Sequence, residues 1–203
     1  SSMILFELFP TCVAQYKLDR DFTEEEVKTF HSVNEMEYNQ GNFISLNKNV
    51  LDIVGLKEIK KFISESVSDY ISQIYKPKNK IDNYITNSWI NYTKTGQYHH
   101  KHNHPNSFIS GVFYLKASPE QDRIQFYSDR YHQVEIQSEE YNRINSEKYF
   151  IGVSSGDLLL FPSRLSHEVE PSLNSEPRIS LSFNTFIRGY LGGYESMSEL
   201  NLP

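Results

Sequence analysis

The chain has 203 residues, of which 38% are hydrophobic and 23% charged, with 14 Tyr and 13 Phe. That aromatic share excludes disorder for most of the length, and the size suits one ordinary domain. A net charge of −6 argues against nucleic-acid binding, and a single cysteine, Cys12, excludes an internal disulfide framework and a Cys-based zinc site.

No stretch reaches the ~18 apolar residues of a membrane span. The apolar run 3–9 has no basic segment before it and no cleavage-like site after it, so no signal peptide is read there. A cytoplasmic protein without membrane or nucleic-acid partners is expected, and the sequence does not decide whether it forms a homodimer. The first third reads mainly as helix. Thr23 followed by three Glu residues suits a helix start over 23–31. Over 56–74, Leu56, Ile59, Phe62, Ile63, Val67, Tyr70, Ile71 and Ile74 recur at three- and four-residue steps, which predicts an amphipathic helix. Pro77 then prevents continuation.

From residue 81 the period changes to short aromatic and β-branched runs between turn residues. Strands are expected at 84–92, 97–104, 108–116, 124–127, 158–161 and 178–187. The chain thus divides into an N-terminal strand and helices (1–80), a β core (81–188) and a loosely held tail (189–203), within one domain. The polar segment 129–147, with Tyr131 and Tyr141, reads as an insertion able to serve as a lid or substrate loop. Lys116, Arg123, Arg130, Arg143 and Lys148 read as ordinary surface charge.

Four of the seven histidines lie at 99, 100, 102 and 104. In a strand, His100, His102 and His104 share one face, and imidazole suits zinc, copper, iron and nickel. A further ligand must come from outside the cluster. His167 is the best placed, because a turn, an apolar strand and Pro162 deliver it to the start of another strand. His31 and His132 read as surface residues, His99 and His100 as bystanders or supports. Eleven residues after His167, Arg178, Ser180, Ser182 and Asn184 alternate with Ile179, Leu181 and Phe183. An Arg beside a hydroxyl on one strand face suits a bidentate grip on a carboxylate. The bland reading of Arg178 is a structural pairing with Glu168 or Glu170.

These residues carry a resemblance. The order His-x-(acid or His), distal His, then Arg-x-Ser is similar to that of the 2-oxoglutarate- and Fe(II)-dependent oxygenases. The likeness is stronger to a bacterial and viral group within that superfamily. It rests on Trp89-x-Asn91, on His102-x-His104-Pro105-x-Ser107-x-x-Ser110-Gly111-Val112-x-Tyr114, on the segment from Gly156 through Phe161-Pro162-Ser163 to His167, and on Arg178-Ile179-Ser180-x-Ser182-Phe183-Asn184. It covers roughly 85–187.

The resemblance implies a mainly β fold with N-terminal helices and a double-stranded β-helix (jelly-roll, cupin-like) core. It implies Fe(II) at His102 and His167, with 2-oxoglutarate held at Arg178 and Ser180. Asn91, Tyr114 and Asn184 are further candidates on the cosubstrate. The implied reaction uses O2, releases succinate and CO2, and hydroxylates a small molecule, an amino acid or a protein side chain. One position departs from the pattern: His104 stands where the superfamily keeps a carboxylate. Three arrangements remain open there: an all-His triad of His102, His104 and His167; a two-His site with water; or a slipped register with Asn106 in the carboxylate position. The first is preferred. Two other functions compete: a cupin-like three-His dioxygenase that uses no 2-oxoglutarate, and a non-catalytic jelly-roll binding protein.

Overall fold

The computed structural model describes residues 1–130 and 134–203. Tyr131 and His132 lie outside the described residues. In chain order the elements are β1 (Ala14–Lys17), α1 (Glu24–Ser32), β2 (Met36–Asn39), β3 (Asn42–Ser45), two short 3-10 turns, α2 (Lys57–Tyr75), β4 (Ile81–Thr93), β5 (His99–His102), β6 (Ile109–Lys116), β7 (Arg123–Tyr127), β8 (Lys148–Gly152), β9 (Asp157–Pro162), β10 (His167–Val169), β11 (Arg178–Leu191) and β12 (Leu200–Leu202). Among the described residues the strands form two antiparallel sheets. The larger runs β1-β9-β6-β11-β4-β3-β2, with β12 added on β11; the smaller runs β5-β10-β7-β8.

Both expected helices form. Thr23 caps α1 in a reciprocal arrangement: its hydroxyl accepts the Glu26 N–H, and the Glu26 carboxylate accepts the Thr23 N–H. Arg20 then clasps Glu26 through both guanidinium ends, at 2.6 and 2.8 Å. This partnership, ahead of the burial that opposes it, holds the Glu26 carboxyl below its usual range. Helix α2 ends where Lys76 turns left-handed, just before Pro77. Its stripe of Ile59, Ile63 and Val67 is fully buried against Ile90, Phe113, Leu158, Leu160, Leu181 and Phe183. Each such side chain contributes about 1.5–3 kcal/mol by leaving water. The helices therefore cover one face of the larger sheet.

The other face of that sheet meets the smaller sheet. Val112 and Tyr114 from β6 and Leu159 and Phe161 from β9 pack on Ile124 and Phe126 from β7. The Phe126 and Phe161 rings meet edge to face, centroids 5.0 Å apart. Strand β11 separates the two environments by alternation. Ile179, Leu181 and Phe183 enter the helix-covered core. Arg178, Ser180, Ser182 and Asn184 face the interior of the sandwich, and all four are buried.

Two expectations need correction. The first third is not mainly helical: β1 pairs with β9, and β2 and β3 form a hairpin that extends the sheet past β4. These strands are four residues long and carry too few alternating positions to register as a period. The tail is not loose. Strand β11 runs on to Leu191, and β12 folds back on it, pairing Gly189 with Leu202. The apolar run 3–9 is exposed, with Met3, Ile4, Phe6 and Phe9 each at least three-quarters accessible. Among the described residues no helix is long and apolar enough to cross a membrane.

Candidate metal centre

The short strand β10 lies between β5 and β7, and this placement builds the site. His167 stands directly opposite His102 across the β5–β10 pair. Directly opposed residues bring their side chains within about 5 Å of each other. His104 lies two residues past His102, just beyond the strand end, so it returns to the same side. Its backbone N–H is anchored on the Ser163 carbonyl at 2.9 Å. Ser163 follows Pro162 at the end of β9, and its hydroxyl joins those of Ser107 and Ser110 at 2.7 and 2.8 Å. A seryl cluster thus fixes the turn that carries His104.

One ring nitrogen from each of His102, His104 and His167 can be chosen so that all lie within 4.8 Å of one another. The Nε2 atoms of His104 and His167 are 3.4 Å apart. Backbone carbonyls select the tautomers of the other pair. His102 Nδ1 donates to the His100 carbonyl at 2.6 Å, and His167 Nδ1 donates to the Leu165 carbonyl at 3.1 Å. A proton on Nδ1 leaves the Nε2 lone pair free, which is how ligating imidazoles are oriented. Burial lowers the basicity of all three rings, most at the buried His167 (about 3), then at His104 (about 4), while His102 is lowered less. The rings are therefore neutral lone-pair donors at pH 7, fit for a cation of the kind imidazole prefers.

His99 and His100 support this group. The His99 ring stacks on His102, centroids 4.4 Å apart. His100 supplies its carbonyl, and its own Nδ1 is buried without a hydrogen-bond partner among the described residues. Trp89 lies beside the His104 ring at 5.9 Å. His31 packs on Phe30 at the end of α1, away from the cluster. Asn106 is exposed in a turn with φ +54° and does not join the histidines.

The polar face of β11 continues from the histidines into the sandwich. Asn91 Nδ2 donates to Ser180 at 3.2 Å and to Ser182 at 2.7 Å, and its Oδ1 accepts the Trp89 indole N–H at 3.2 Å. Asn184 Oδ1 accepts from Ser110 at 2.8 Å. Tyr114 stands opposite Ser180 on β6, fully buried, and burial pushes its phenol well above the usual range. Arg178 ends the row. Its Nη1 donates to Asp122 at 3.0 Å, and both side chains are buried. Its Nη2 and Nε groups make no hydrogen bond with any described residue. That free edge has the donor spacing a carboxylate accepts.

Sequence reasoning missed Asp122. The expected structural partners of Arg178 are engaged elsewhere: Glu168 accepts from Gln125 and Tyr127, and Glu170 from Arg123. Asp122 is 56 residues from Arg178 and sits in a polar turn resembling several others. The tautomer-setting carbonyls of His100 and Leu165 carry no sequence signal at all. Three of the five cations named as surface charge form exposed ion pairs: Lys116 with Glu176, Arg123 with Glu170 and Arg143 with Glu7.

The comparisons with known proteins agree with this geometry. Residues 87–184 match the family described as "Putative 2OG-Fe(II) oxygenase". A search of curated proteins finds no match. Among solved structures, the chain is similar to a prolyl-4-hydroxylase from Pseudomonas putida at TM-score 0.54 and 14% identity, covering 88% of this chain and 95% of that one. It is similar to a prolyl hydroxylase from Trichoplax adhaerens, solved with a hypoxia-inducible-factor peptide fragment, at TM-score 0.54 and 19% identity over 85% and 82%. It is also similar to HygX from Streptomyces hygroscopicus, solved with nickel, 2-oxoglutarate and hygromycin B, at TM-score 0.58 and 13% identity over 86% and 82%. The two sheets thus share the double-stranded β-helix fold of these enzymes. Over residues 87–184, just under half of its length, the chain is similar to the 2-oxoglutarate- and Fe(II)-dependent oxygenases.

Proposed function

We propose that the chain hydroxylates an unactivated C–H bond of an organic substrate, using Fe(II), 2-oxoglutarate and O2 and releasing succinate and CO2. The observation that carries this reading is the pairing of two features on the two sheets of the sandwich. One buried and two half-buried imidazoles converge at β5 and β10, and the polar face of β11 carries a buried Arg178 with an unpaired N–H edge. His102, His104 and His167 would hold the metal. Arg178 and Ser180 would hold the far carboxylate of 2-oxoglutarate, with Tyr114, Asn91 and Asn184 lining the same wall. When bound, the metal supplies oxygen activation coupled to oxidative decarboxylation of the 2-oxo acid.

The chain's own residues orient and exclude water. Carbonyls of His100 and Leu165 keep the ligating rings from rotating. Phe126 and Phe161 flank His167 and keep its side of the site dry. Asn91 holds the Ser180 and Ser182 hydroxyls in place. The substrate class follows the neighbours only broadly: one is named with a peptide and another with an antibiotic. A cleft of about 290 Å3 between the N-terminal arm and the segment around 143–149 reaches Phe126 and Leu165, next to His167. This supports residues 128–130 and 143–149 as a wall through which substrate selection operates.

The test is direct. Anaerobic protein is loaded with Fe(II), then supplied with O2 and 2-oxoglutarate, and succinate and oxygen uptake are measured. Expected are one equivalent of metal, succinate formation, loss of metal in His167→Ala and loss of succinate in Arg178→Ala. Full iron stoichiometry in His167→Ala overturns the ligand set, and unchanged turnover in Arg178→Ala overturns the clamp. His104 in the ligand set favours a second reading, a three-His dioxygenase that needs no 2-oxo acid. Oxygen uptake without added 2-oxoglutarate and without succinate would select it.

A further inference from the structure

Arg178 and Asp122 are the one ion pair among the described residues with both side chains under a tenth exposed, at 6% and 2%. The second Asp122 oxygen accepts the Ser118 backbone N–H at 2.7 Å and Asn174 Nδ2 at 2.9 Å. The carboxylate is thus fixed from two loops and touches the guanidinium through a single nitrogen. A buried pair of this kind is weak evidence for stability, because desolvation cancels most of the attraction. Its place at the end of the row that leads from the histidines suggests another use.

The charges are simple to count. A divalent cation among three neutral imidazoles keeps both of its charges. Arg178 adds one and Asp122 removes it. A 2-oxo dicarboxylate then brings the loaded cavity to zero. A cavity with a carboxylate at position 104 and an unpaired Arg would reach the same sum. We propose that Asp122 is a positioning residue that compensates, behind Arg178, for the negative charge absent at His104, and that it leaves the Nη2–Nε edge for the far carboxylate of the cosubstrate. The inference rests on the oxygenase reading above and assigns Asp122 a part in setting how tightly the far carboxylate is held.

The experiment uses the Ni(II)-loaded full chain, titrated calorimetrically with 2-oxoglutarate and with 2-oxobutanoate. Circular dichroism follows the fold. In Asp122→Asn, the uncompensated Arg178 should bind 2-oxoglutarate about tenfold tighter or more, because a like charge has left the clamp. Binding of 2-oxobutanoate, which has no second carboxylate, should stay within about threefold. A merely structural Asp122 would instead weaken both acids alike, and that result, or an unchanged 2-oxoglutarate affinity, overturns the proposal. Should Asp122→Asn not fold, His104→Asp leaves the buried pair intact and decides the matter. It should retain one Ni(II) and weaken 2-oxoglutarate about tenfold, since the cavity then carries one negative charge too many. Unchanged or tighter binding there also overturns the proposal. If the wild-type chain takes up Ni(II) and binds no 2-oxoglutarate, the oxygenase reading falls and this inference with it. A wrong sign in the variants removes the inference alone.

Discussion

Gly111 sits in the middle of β6, with β9 on one side and β11 on the other. A Cβ added there would stand 2.3 Å from Phe183 Cζ, 2.8 Å from the Leu159 carbonyl oxygen and 2.8 Å from Leu160 Cδ2. Nonbonded carbon pairs rest at about 3.5–4.0 Å, so the Phe183 ring would have to retreat by more than about 1 Å. The ring is 1% exposed and packed beneath the helices, and the Leu159 oxygen belongs to the strand ladder. Overpacking of a tight core costs about 1–3 kcal/mol, and a backbone obstacle puts Gly111→Ala near 3. For a chain of this size, about 2–4 °C is lost per kcal/mol, so the melting temperature should fall by about 10 °C. Gly152→Ala is the control, because nothing lies within 4 Å of its added Cβ; it should melt within about 2 °C of the parent. Metal affinity should also drop in Gly111→Ala. Ser110, the adjacent residue, bonds to Ser163, whose carbonyl holds His104. Melting curves that show Gly111→Ala unchanged, or Gly152→Ala equally damaged, would refute the packing argument.

Acid should destabilise the metal-free protein from about pH 6.5 downward, because His104 and His167 titrate near 4 and 3 in the fold but near 6.5 in the unfolded chain. Protons therefore bind the unfolded state preferentially, and the stability present above pH 6.5 is lost as pH falls toward the folded values. His167→Gln should flatten this slope in urea titrations, and equal slopes would contradict the assignment. A metal at a hundred times its Kd should add about 2.7 kcal/mol to unfolding; a chelator or His102→Ala should abolish that increment, and a chelator-insensitive melt speaks against the site. Thr23→Ala should cost about 1 kcal/mol through loss of the α1 cap while leaving metal stoichiometry at one; a neutral result would show that Arg20 and Glu26 hold the helix start without it.

Legibility in the sequence followed length and period. Helix α2 and strands β4, β6, β9 and β11 each carry enough repeats to declare themselves. The three histidines were legible because their ligand chemistry is local, one pair at i and i+2, and one more at a strand start. What escaped was set by distance. Strands β2, β3 and β8 have four or five residues, and their identity comes from the partner they lie against. The same holds for Asp122, since nothing in its own turn distinguishes it from Glu120 or Asp129. The tail was misread because β12 has three residues and derives its order from pairing with the end of β11.

The alternation along β11 sets a limit on how this protein can change. Even-numbered positions from 178 to 184 hold the chemistry, odd-numbered ones from 179 to 183 the core, and a register irregularity at Asn184/Thr185 closes the run. A strand buried on both faces has no neutral slip, because a shift of one residue would put Arg178 among the helices and Ile179 in the cosubstrate wall. Single-residue insertions or deletions between 178 and 184 should therefore abolish fold and site together. Length changes in 134–147, which contributes to no helix or strand, are the ones this architecture can absorb while the reading frame of β11 stays fixed.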